Sequence, residues 1–189
     1  MLRLRTAVIV GFLALNLCAC AALVFLPASL PRVTIDADHG YIYGRFVLTT
    51  PESSAFGPEL AKIALIVAEK DTEAPHTVPF QRSLRVSVIA VDPGAFKLSK
   101  LVQMGSLRET LREETVTGGN LTNAFSVEAG KAYYIGDIYA AGSRRSLFSK
   151  IDFSLTRVVD EYEQATAELK KSVPGFEKIP TASVGYRFP

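Results

Sequence analysis

Apolar positions in this chain recur in three rhythms, and each predicts a different kind of element. Ala7 to Leu26 is an almost unbroken apolar run, introduced by Arg3 and Arg5, and reads as a signal or anchor helix. From Gly40 the rhythm becomes two. In Gly40–Leu48, Ile42, Phe46 and Leu48 share one face with Gly44, while Tyr41, Tyr43, Arg45 and Val47 share the other, the pattern of a half-buried strand. Further strands are expected over Val33–His39, Lys62–Ala68, Ser83–Asp92, Phe96–Val102, Ala124–Val127, Ala132–Ala140 and Leu147–Leu155. Leu107–Val116 is charged and suits a helical turn or an exposed ribbon.

Turn chemistry separates these runs. Asp92-Pro93-Gly94-Ala95 predicts a tight hairpin turn, and Gly118-Gly119-Asn120 and Ala129-Gly130 predict two more. After Leu155 the rhythm changes again. Val158, Val159, Tyr162, Ala165, Leu169 and Val173 recur at steps of three and four, predicting an amphipathic helix over Thr156–Ser172. Asp160, Glu161 and Glu163 lie early and Lys170 and Lys171 late, as the helix dipole favours, and Pro174-Gly175 ends it. The tail from there to Pro189 is expected to add a final strand. The fold class that follows is mainly β: an antiparallel β-sandwich of about seven strands with one C-terminal amphipathic helix.

The residues Leu17-Cys18-Ala19-Cys20 sharpen the reading of the N-terminal segment. They resemble the lipobox of bacterial lipoproteins, with an aliphatic residue at −3, a small one at −1 and then cysteine. That resemblance implies cleavage before Cys20, diacylation of its thiol, and the organisation 1–19 signal peptide, 20–32 lipidated cysteine and tether, 33–189 domain. Leu17 makes Cys18 the poorer acceptor. Ala21, where an aspartate would retain the protein in the inner membrane, implies an outer-membrane site facing the periplasm. The rival is an uncleaved single-span anchor in the inner membrane, since Ala7–Leu26 would reach roughly 30 Å as a helix. Pro27–Arg32 (PASLPR) is a short, stiff tether in either case.

Charge and cysteine content narrow the partners. Once Arg3 and Arg5 are removed, basic and acidic residues are equal in number, which argues against a nucleic-acid partner. The two cysteines both lie in the N-terminal segment, so the domain carries no disulfide and must be stable through its core. The phrases Val91-Asp92-Pro93-Gly94-Ala95-Phe96-Lys97-Leu98 and Val127-Glu128-Ala129-Gly130-Lys131-Ala132-Tyr133-Tyr134 are similar to those of transthyretin-like and carboxypeptidase-regulatory-like sandwich domains. The resemblance implies such a fold over about Gly40–Leu155 and supplies no active-site residues.

Candidate chemistry is sparse. Asp36, Asp38 and His39 resemble half a metal site, but no second cluster accompanies them, and a solvated turn is the expected reading, with no metal and no cofactor. His39 and His76 are the two available imidazole bases, and no nucleophile motif accompanies them, so no enzyme is expected; a hydrolase or metal-binding protein is the remote alternative. Asn120-Leu121-Thr122 is a glycosylation sequon only in a eukaryotic secretory pathway, and Arg144, Arg145 and Lys150 suggest either a wet loop or contact with anionic lipid. The strongest candidate for ligand or partner binding is the stripe Tyr41, Tyr43 and Arg45, flat amphipathic rings beside a cation. The expected function is a membrane-anchored envelope lipoprotein with a binding or structural role. The alternative is an accessory subunit of a larger envelope complex, docking through that stripe or the C-terminal helix.

Overall fold

The chain is built around β1 (Gly40–Thr49), a strand buried on both faces except at its last residue. The computed structural model describes residues 33–49, 62–69, 75–80, 84–104, 110–144 and 151–188, all within the unit Val33–Pro189. The Met1–Leu26 segment, the lipobox with Cys20 and the tether lie outside the described residues, as does Arg145–Lys150. Among the described residues no helix is long and apolar enough to cross a membrane.

Ten strands form two sheets among the described residues, where the sequence pattern suggested about seven. After β1 come β2 (Lys62–Glu69), β3 (Pro75–Pro79), β4 (Val86–Val91), β5 (Gly94–Met104) and β6 (Thr110–Thr115). Then follow β7 (Phe125–Val127), β8 (Ala132–Arg144), β9 (Ile151–Val159), helix α1 (Tyr162–Ser172) and β10 (Thr181–Ser183). The first sheet runs β10-β8-β1-β4, with β9 also on β8; the second runs β3-β2-β5-β6, with β7 also on β5. The fold is therefore mainly β with one helix. The charged Thr110–Thr115 run is a strand, β3 lies where no strand is expected, and Val33–His39 forms no strand.

Two pairings overturn the expected antiparallel arrangement. β1 and β8 run parallel, as do β10 and β8. β8 starts beside the start of β1, where the Tyr41 N–H donates to the Lys131 carbonyl and the Gly130 N–H to the His39 carbonyl. The chain between them returns through the second sheet, so the two strands need not be linked by a hairpin. Asp92-Pro93 is likewise not a hairpin turn. β4 pairs with β1 and β5 with β2, β6 and β7, so this step carries the chain from one sheet to the other. Proline, lacking an N–H, is suited to the point where the ladder of β4 stops.

Apolar residues of both sheets meet in one cluster. Ile42, Phe46, Ile135 and Ile138 come from the first sheet, and Val78, Phe96, Leu98 and Val127 from the second. A second cluster lies on the opposite face of β1 and β8, where Tyr41, Tyr43, Val88 and Tyr134 meet Ala165 and Leu169 of α1 and Phe176 beyond it. The first sheet is thus covered on both sides, which explains the near-continuous burial of β1.

The helix is shorter than its periodicity suggested. Ile151–Val159 pairs with β8, so Val158 and Val159 belong to a strand and the helical rhythm starts at Tyr162. Asp160 marks the boundary, its carboxylate accepting the Tyr162 N–H at 3.2 Å. Gly175, at φ 93°, turns the chain out after Pro174. Ala165, Thr166 and Leu169 are the residues α1 buries. Because Leu169 is fully buried against the protein's own sheet, Leu169→Ala should cost about 2–5 kcal/mol. A clear fall in the urea or thermal midpoint checks this; an unchanged midpoint would mean the leucine does not hold the helix.

Candidate functional site

The largest group of interacting polar side chains among the described residues lies under α1, and a backbone irregularity creates it. Tyr43 of β1 is level with Tyr134 of β8, but Arg45 is level with Asp137, so β8 carries one residue more than β1 across this step. Such a bulge breaks the two-residue alternation. Tyr134 and Asp137, three apart, consequently share a face, and the Tyr134 hydroxyl donates to Asp137 Oδ1 at 2.7 Å. Gly136 adopts φ +107°, and a Cβ at Gly44 would run into the Gly136 carbonyl oxygen, so glycine is required on both strands.

Arg45 is the centre of the group. Its Nη1 donates to Asp137 Oδ2 at 2.7 Å, and Nη2 and Nε donate to Glu168 Oε2 at 2.7 and 3.2 Å. The other oxygen of Glu168 accepts the Val86 N–H at 2.9 Å, so one helical carboxylate ties together β1 and the start of β4. Side-chain exposure is 6% for Arg45, 2% for Asp137 and 36% for Glu168. Burial works against the guanidinium charge, but the bonds from Glu168 and Asp137 outweigh it and hold the group protonated above its ordinary range.

The tyrosines complete the seal. Tyr43 shares a 2.7 Å hydrogen bond with Thr166 of α1, and burial, only partly offset by that bond, pushes its phenol up to about 12. Tyr134 is raised further, by burial first and then by the Asp137 bond, and its oxygen also accepts the Glu161 N–H at the helix start. Among the described residues no buried side-chain nitrogen or oxygen lacks a partner. The arrangement holds layers together; its donors and acceptors are already engaged with one another.

The stripe Tyr41, Tyr43 and Arg45 is accordingly not the outward surface expected. Tyr41 and Tyr43 are fully buried and Arg45 nearly so, because α1, Phe176 and the entry segment Val33–Asp36 form a layer over them. The alternation placed the three residues on one face correctly but carried no information about what covers that face. Asp137 and Glu168 were not singled out from sequence. The available signal was Gly136 beside an acid inside an otherwise apolar strand, the mark of a bulge.

The remaining candidates separate. Asp36 and His39 form the solvated turn expected, with His39 Nδ1 2.8 and 2.9 Å from the Asp36 carboxylate oxygens, which also accept the N–H groups of Asp38 and His39. No group of side chains able to hold a metal ion occurs among the described residues. His76 lies on β3 in the other sheet, its ring 5.8 Å from that of Phe96. Asn120 is engaged with the C-terminal tail, accepting the Arg187 N–H and donating to the Gly185 carbonyl. Arg144 ends β8, and its basic neighbours lie outside the described residues.

Neither a protein-family model nor a curated protein sequence matches the chain. A solved structure of a leucine-rich repeat protein from Bacteroides thetaiotaomicron is similar at 16% identity, with a TM-score of 0.30. That similarity covers 57% of this chain and 14% of the other, too little to carry an argument about fold or role.

Arg45→Met should destabilise the protein by about 3–5 kcal/mol, because Asp137 is left charged, buried and without its cation. Adding Asp137→Asn should recover much of that loss, whereas Glu168→Gln, at a third-exposed position, should cost about 1 kcal/mol or less. Urea unfolding of the three variants tests the ranking.

Proposed function

We propose that this protein is a membrane-anchored lipoprotein of a bacterial envelope whose exported domain has a binding or bracing role and no catalytic one. The observation that carries the reading is Leu17-Cys18-Ala19-Cys20, placed behind two arginines and a charge-free apolar run. The non-catalytic part is supported by the polar group under α1, which is spent on fixing one layer to another. We read the two sheets as a β-sandwich, similar in its turn-and-strand phrases to transthyretin-like and carboxypeptidase-regulatory-like domains, with α1 as an added third layer. Ala21 after Cys20 favours the outer membrane, with the domain in the periplasm.

Docking into a larger envelope complex is the second reading, and the burial of its two candidate surfaces weakens it. Tyr41, Tyr43 and Arg45 face α1, and the apolar side of α1 faces them. What α1 leaves outside is polar or small, at Glu163, Gln164, Ala167, Lys170 and Lys171.

Cells fed a labelled fatty acid should label this protein. Cys20→Ser should abolish the label and leave the longer, unprocessed chain, while Cys18→Ser should change neither. The lipid count matters, since burial of about 0.8 kcal/mol per methylene makes one chain a marginal anchor and two a stable one. A membrane-bound wild type without label would favour the uncleaved span over the lipid anchor.

A further inference from the structure

His39 sits where three parts of the chain converge. It ends the entry segment and precedes β1. Its carbonyl accepts the Gly130 N–H from the turn that leads into β8. It also lies one step beyond the last registered pair of β1 and β4, Gly40 with Val91, which places it across from Asp92 at the β4–β5 crossover. His39 Nε2 is 3.5 Å from Asp92 Oδ1, while Nδ1 is 2.8 Å from Asp36 Oδ1. One imidazole therefore stands between two carboxylates from separate segments.

We propose that His39 is a pH-responsive clasp, binding the entry segment to the β4–β5 crossover when protonated and releasing Asp92 when it loses its proton. The reason is the charge on the ring. An imidazolium bonds Asp36 through its Nδ1–H and attracts the Asp92 carboxylate, 3.5 Å from Nε2, by charge. Neutral imidazole keeps one N–H, and the shorter, two-oxygen contact with Asp36 retains it on Nδ1. Nε2 then presents a lone pair to the Asp92 carboxylate, and acceptor facing acceptor repels. The entry segment itself stays attached, since the Asp36 N–H and carbonyl are both bonded to the Tyr41 hydroxyl.

The surrounding charges favour the closed form. Asp36 dominates, by hydrogen bond and then by charge, and Asp92 and Asp38 add to it, so the imidazole titrates above its ordinary value. Asp36 is lowered reciprocally, chiefly by its bond to His39. On the neighbouring turn Glu128 and Lys131 pair with each other at 2.7 Å, with the Tyr133 hydroxyl also on Glu128, so that turn brings no net charge to the site. A raised folded pKa fixes the sign: the clasp stabilises fully below the ordinary histidine value of about 6.5 and is lost as pH rises through the raised value.

Imidazole and amide nitrogen NMR of the full chain in bicelles, from pH 5 to 9, tests this. The His39 midpoint should lie above about 6.5, its neutral form should be the Nδ1–H tautomer, and the Asp92 and Gly94 amide shifts should follow its titration. Asp92→Asn should lower the His39 midpoint; at 82% exposure the substitution leaves the core untouched. A midpoint unmoved by Asp92→Asn, an Nε2–H neutral tautomer, or crossover amides indifferent to His39 would each overturn the proposal.

Discussion

A guanidinium that cannot give up its charge is buried between the first sheet and α1, and much of that sheet's outer face is arranged to keep it matched. Arg45 is held at 6% exposure, so its position requires carboxylates within hydrogen-bond reach. One comes from the next strand, and only because the bulge at Gly136 turns Asp137 to the same face as Tyr134. The other comes from α1, whose Glu168 also accepts the first N–H of β4. Placing the helix elsewhere would leave Arg45 half matched and the Val86 N–H unbonded. The ionic contacts thus set where α1 lies on the sheet, while Leu169, Ala165 and Phe176 supply the apolar burial that makes the position stable.

This division of labour explains the different character of the sheet's two faces. The face toward the second sheet is aliphatic and aromatic, with Ile42, Phe46, Ile135 and Ile138. The face under α1 is built from tyrosines whose rings pack and whose hydroxyls find named partners: Thr166 for Tyr43, Asp137 for Tyr134, the Asp36 backbone for Tyr41. Aromatic rings beside an arginine suit a binding surface equally well, and here the helix occupies that place. The chain's own C-terminal segment is the partner these residues recognise.

Much of the element content was legible in the sequence, because period-two and period-three-to-four patterns report local geometry. β1 falls close to where alternation puts it, β2 and β8 to where apolar runs bracketed by turn and loop residues put them, and the buried side of α1 is evident from Ala165 and Leu169. What escaped depends on distant pairing. Asp92-Pro93-Gly94 announces a turn without saying that its flanking strands join different sheets, and no local signal reveals that β1 and β8 are parallel. Val158 and Val159 fit a helical step as well as a strand, and pairing with β8 decided between them. Arg45 was legible as a special residue but misjudged in exposure, since its partners lie 92 and 123 positions further along.

Helix α1 is an integral layer of the fold, held on the first sheet by the burial of Leu169 and Ala165 and positioned there by Arg45 and Glu168. Native-state hydrogen exchange of the unmodified protein tests this most directly. The amides of Thr166 to Leu169, together with the Val86 amide bonded to Glu168, should open only in the same cooperative unit as β1 and β8. Exchange of the α1 amides through a separate low-energy opening, with β1 and β8 still protected, would contradict the account.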